Sequence, residues 1–110
     1  MPDKHFSIGV PETSLTTLPS NGTAGDAIAV PSAFHGPLNV AWQLVPAGGP
    51  SAISNALQAS LDGSTWVQID SDTTTTGNLK FVANVAARFL RVYHTSHTGG
   101  TGLTAYILIR

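Results

Sequence analysis

Few side chains in this sequence are of kinds that do chemistry, and their spacing limits what they can do. His94 and His97 are the closest pair of histidines. Three apart on a regular strand they point to opposite faces, so they meet only where the backbone leaves that geometry. No cysteine and no nearby carboxylate completes a zinc set around them, and no metal site is expected. Asp70 and Asp72 share a strand face, the spacing of a carboxylate pair or of part of a calcium loop. Residues 71–76 add hydroxyls rather than further carboxylates, which favours a solvated strand end. Asp62 precedes Gly63 and reads as a turn former. Trp66 and Tyr93, if both exposed, would make a sugar-stacking platform, although tryptophan is more often packed. Arg91 alternates with Phe89 and Tyr93, where a guanidinium can stack on an aromatic ring. There is no G-x-S-x-G elbow, no phosphate loop, no dinucleotide fingerprint and no H-E-x-x-H pattern. The expectation is a protein that is not an enzyme and uses no cofactor.

The elements that must carry these residues read as strands. No window holds an i, i+3, i+4, i+7 apolar pattern, and 11 glycines and 7 prolines interrupt the chain throughout. Residues 4–10 alternate, with Phe6, Ile8 and Val10 on one face, and Pro11 ends the run. Residues 38–44 alternate most clearly, placing Leu38, Val40, Trp42 and Leu44 inward. Residues 13–18 are a weak candidate and residues 26–30 a short apolar one that Pro31 limits. Residues 57–61 and 66–70 flank an Asp62-Gly63 turn, and residues 78–82, 88–95 and 103–109 complete the set. The result is an all-β fold, an antiparallel β-sandwich of about eight strands in one domain over residues 1–110. Residues 1–25 form either an extended arm or an edge segment of that sandwich.

Composition narrows the function classes. Charged residues are 10% of the chain, where a soluble domain averages about 25%. A net charge of −1 excludes an electrostatic nucleic-acid binder. No apolar run approaches the ~18 residues that would span a membrane, and no signal segment opens the sequence, so synthesis in the cytoplasm is expected. A surface polar through Thr, Ser, Asn and Gly but nearly uncharged is desolvated at little cost when another protein covers it.

Two resemblances rest on the hairpin Ser60-Leu-Asp-Gly-Ser-Thr-Trp66 and the strand Ala87-Arg-Phe-Leu-Arg-Val92. Over residues 56–110 they resemble the second half of a discoidin-type domain, while the first half shows none of that family's pattern. The hairpin, residues 88–96, the turn Thr98-Gly-Gly-Thr101 and the strand Leu103-Thr-Ala-Tyr-Ile107 together are similar to small β-sandwich modules of tailed-phage virion proteins. That resemblance implies a jelly-roll or discoidin-like sandwich located in the virion and assembled in the host cytoplasm. It implies a capsid decoration (cement) protein, forming a homotrimer and contacting the major capsid protein or another virion protein. Phe6, Ile8 and Val10 would be its apolar contact residues. The alternatives are a carbohydrate- or receptor-binding module using Trp66 and Tyr93, and a tail or baseplate component.

Overall fold

A computed structural model describes residues 4–32, 34 and 37–110. The first three positions of the expected arm, and His35, lie outside the described residues. The chain folds as an all-β sandwich of ten strands: β1 (Lys4–His5), β2 (Glu12–Leu15), β3 (Thr23–Ala24), β4 (Ile28–Ala29), β5 (Leu38–Ala47), β6 (Ala52–Ser60), β7 (Val67–Asp72), β8 (Asn78–Val85), β9 (Phe89–Thr98) and β10 (Gly102–Ile109). One sheet runs β1-β4-β9-β6-β7, with β3 beside β4 along the same edge of β9. The other runs β2-β10-β5-β8. Every pairing is antiparallel except β1 with β4, which is parallel.

The core follows from alternation. Leu38, Val40, Trp42 and Leu44 of β5 meet Leu90 and Val92 of β9 and Leu103, Ala105, Ile107 and Ile109 of β10 in one buried cluster. The motif of residues 87–92 splits cleanly between faces. Leu90 and Val92 are buried, while Arg91 points outward and Arg88 Nη2 donates to the Val30 carbonyl at 3.0 Å. Asp62 forms its turn as expected. Its Oδ1 accepts from the Ser64 and Thr65 amides, each at 2.8 Å, and from the Ser60 hydroxyl at 2.9 Å. Those donors, the Thr65 amide foremost, hold the carboxyl at about 2, so the turn keeps this support until pH falls through that value.

The N-terminal segment departs from the expected long strand. Only Lys4 and His5 pair with a neighbour, after which the Phe6 amide donates to the Ala29 carbonyl and the chain turns at Gly9, where φ is 77°. The turn breaks the alternation. Phe6 is 3% exposed and belongs to the core, whereas Ile8 and Val10 are 48% and 46% exposed. The contact set of Phe6, Ile8 and Val10 therefore does not share one face, and Phe6 is not available to a partner. Residues 4–24 supply strands β1 and β3 to one sheet and β2 to the other.

A buried hydroxyl joins the two sheets. Ser14 Oγ on β2 accepts from the Val92 amide on β9 at 2.9 Å and donates to the Asp26 carbonyl at 2.9 Å. Gly25 threads past this point so closely that a Cβ there would lie 2.5 Å from the Ser14 carbonyl oxygen. Ser14→Ala strands a buried amide and a carbonyl together. A loss of about 2 kcal/mol is expected, read as a lowered denaturant midpoint at unchanged slope.

Candidate functional site

The outer face of the four-stranded sheet is unusual for a surface. In an antiparallel sheet with one face in the core, the other is ordinarily polar. Here the register aligns Leu79 with Gln43 and Tyr106, and Phe81 with Ala41 and Leu108, in two cross-strand rows. Phe81 is 74% exposed and Leu79 half-exposed, both on β8 at the sheet's free edge. Ala41, the small residue in its row, leaves a shallow groove of about 830 Å³ between Phe81 and Leu108, closed at one end by Gly9 and Pro11. Exposed Ile8 and Val10 flank the same end. Among the groove's lining residues Arg110 is the only charged one. Apolar surface gathered in one place with so little charge is the kind of surface on which interaction sites are found.

The reason β8 turns these residues outward lies on its other side. Lys80 points inward, where its ammonium donates to Asp70 Oδ1 at 3.2 Å and also reaches the Ser71 carbonyl. Asp70 Oδ2 accepts from the Trp42 indole N–H at 2.9 Å. Asp72 accepts from the Thr74 amide and hydroxyl and from the Asn78 amide group, fastening the turn between β7 and β8. The two aspartates are thus absorbed into structure, Asp72 among buried residues rather than at a solvated strand end.

Trp66 and Tyr93 do come together, on the outer face of the other sheet, but not as an open platform. The Arg91 guanidinium carbon lies 4.1 Å from the Trp66 ring centroid and 6.0 Å from that of Tyr93. Gln58 Oε1 accepts from Arg91 Nε at 2.8 Å and fixes it there. Burial lowers the Arg91 pKa from its usual value. A sugar ring stacking on this side of Trp66 would have to displace the guanidinium.

The remaining titratable cluster is His94 with His97. Opposite β6, Asn55 pairs with His94 and Ser54 with Ser96, which leaves Thr95 as a bulge. The extra residue restores both histidines to one face. His94 is fully buried, with Nδ1 2.7 Å from Asn55 Oδ1 and Nε2 2.7 Å from His97 Nδ1. Among the described residues no group of three or more His, Cys, Asp or Glu side chains is placed to hold a metal ion.

Comparison with known proteins addresses the fold. The chain has the fold of a prophage protein. SPBc2 prophage-derived protein YomS is similar over 94% of this chain and 98% of its own, at a TM-score of 0.55 and 11% identity. A chain from the structure described as "Bacillus endospore appendages form a novel family of disulfide-linked pili" is similar over 89% of this chain and 83% of its own, at a TM-score of 0.50 and 16% identity. No family model and no curated protein matches the sequence.

Sequence reasoning missed Leu79 and Phe81 as surface residues. Alternation put them on one face together but did not say which face was the core.

Proposed function

We propose that the chain is a non-enzymatic structural protein of a phage virion, a capsid decoration protein that works as a self-associated ring, expected to be a trimer. The observation that carries this reading is the apolar, nearly uncharged outer face of β8, β5 and β10. Its occupant is a second copy of the chain. Phe81 protrudes at the sheet edge, while the Ala41 groove with Leu108 beside it lies further in, so knob and socket occupy different places on one surface. That surface is complementary to itself, and where each Phe81 enters the groove of the next copy rather than of a reciprocal one, the contact is heterologous and closes into a ring when the rotation permits. The groove's lining carries a single charge, Arg110, so repulsion between copies across the contact is small. Support also comes from the fold shared with a prophage-derived protein, and from the resemblance of the Asp62 hairpin and residues 88–107 to virion modules. Ile8 and Val10, exposed at the end of the groove, are the proposed contact with the major capsid protein.

Co-sedimentation with expanded capsids, together with sedimentation equilibrium of the free protein, tests the reading. Saturable, stoichiometric binding by a self-associated species is the expected result. A protein that stays monomeric and leaves capsids bare at micromolar concentration overturns it, and binding confined to tails would reassign it to the tail or baseplate.

A further inference from the structure

We propose that Asn55, His94 and His97 form a proton-operated latch that holds residues 21–24 on β9 at neutral pH and releases them in acid. The hydrogen-bond pattern allows only certain protonation states. Asn55 Oδ1 can only accept, so His94 Nδ1 carries a hydrogen and His94 Nε2 accepts from His97 Nδ1–H. Turning the Asn55 amide over reverses every donor in the row, yet one hydrogen still lies between the rings. In the first arrangement Asn55 Nδ2 is buried with no hydrogen-bond partner in the protein, so the row has a donor to spare and no acceptor for another proton.

One added proton is tolerated, because it sits on the outward Nε2 of His97 and leaves the row intact. A second is not. With both rings charged, each facing nitrogen bears a hydrogen, and two cations confront each other with ring centroids 4.9 Å apart. The 2.7 Å contact cannot survive that state.

What the latch holds is specific. The Gly22 amide donates to the carbonyls of His94 and Thr95, each at 3.0 Å, and the His97 amide donates to Asn21 Oδ1 at 3.1 Å. Thr23 and Ala24 pair with His94 and Tyr93. All of these bonds depend on the bulge at Thr95, and separation of the rings removes what shapes it.

Among the described residues no other charge faces the pair. β3, β5, β6 and β10 carry no charged residue. On β7, Asp72 lies in register with Asn55, but Thr74 and Asn78 hold its carboxylate. On β9, Arg91 faces outward against Trp66. On β2, Glu12 pairs with Ile107, well along β10 from the Gly-rich turn near His97. Lys4 and Asp26 are paired with each other at 3.2 Å.

The sign follows from burial, which with His97 lowers the His94 pKa from its ordinary value. The folded chain takes up this proton less readily than the unfolded one. The latch is therefore complete above the ordinary imidazole range and is lost as pH falls through the lowered His94 value.

The test is an imidazole titration by NMR, with amide protection factors measured across the same pH range. His94 should titrate below the ordinary imidazole range, and protection at Gly22 and Thr23 should fall at least tenfold as His94 takes up its proton, while Leu57 stays protected. In His97→Gln, whose side chain cannot become charged, that step should vanish. Constant protection at Gly22 and Thr23 through the His94 titration, or an equal fall in His97→Gln, overturns the latch. The wild-type titration decides the matter alone if the variant folds poorly.

Discussion

Trp42→Ala is expected to remove about 3–5 kcal/mol of stability, enough to leave a domain of this size largely unfolded at ambient temperature. Two losses add. The indole is fully buried at the centre of β5, flanked in register by Ile107 of β10 and Lys80 of β8, so its removal leaves a cavity that rigid sheets on either side cannot close. The indole N–H also serves the Asp70 carboxylate, which keeps only its ion pair with Lys80 and the Ser71 amide when that donor goes. Trp42→Phe separates the two. It retains an aromatic ring and should cost about 1.5–3 kcal/mol, the range of one lost hydrogen bond to a charged acceptor. The pH dependence distinguishes the variants further. Burial raises the Asp70 pKa, but the Trp42 indole, Lys80 and the Ser71 amide together outweigh it and hold the carboxyl below its usual value. Stability from this source is present above the ordinary carboxylate pKa and is lost as pH falls through the lowered one. Trp42→Phe should narrow that acid-sensitive window, and chemical denaturation at a series of pH values measures it.

Phe81→Asp is expected to act in the opposite manner, with little effect on the fold and a large one on assembly. The ring is mostly exposed, so the folded monomer loses almost no burial when it is replaced. In the proposed ring the same side chain fills the Ala41 groove of a neighbour, where truncating a central aromatic anchor typically costs 2 kcal/mol or more, about 30-fold in affinity. A carboxylate buried there without a partner adds to the loss. Sedimentation equilibrium should show a monomer at concentrations where the parent chain associates, with an unchanged thermal midpoint. Association as tight as that of the parent would remove Phe81 from the contact. Leu61→Asp, on an exposed turn remote from this face, is the matched control.

The parts of the structure legible in the sequence are those where local pattern and final burial agree. Residues 38–44 needed nothing beyond their own alternation, and Asp62-Gly63 announced its turn through residue type alone. The expected all-β antiparallel sandwich is what forms. Legibility fails where a single residue resets the parity of a strand. Gly9 turns the chain after Phe6 and sends Ile8 and Val10 to the surface. Thr95 bulges and brings two histidines together that regular spacing separates. On β8 the failure is of a different kind, because hydropathy favours Phe81 over Lys80 for the interior. The half-buried side instead receives Lys80, since Asp70 waits there on another strand, a fact that no local window contains. Of the two-residue strands, β1 and β4 lie within the runs of residues 4–10 and 26–30, whereas Thr23–Ala24 carries no pattern of its own and exists only through β9, a partner distant in sequence.

The Ser14 bridge has a kinetic meaning. Its bond to the Val92 amide joins residues 78 apart in sequence, and it can form only after β9 has found its place against β6. If residues 38–109 reach their sandwich first, the N-terminal residues dock last, closing edges of β9 and β10 that stay open until then. Long-range strand pairing of this kind folds slowly, in milliseconds to seconds. During that interval the open edges will accept the N-terminal strands of any copy, because the bonds offered in trans are identical to those made in cis. At high local concentration, the order of docking would then decide whether neighbours exchange their first strands.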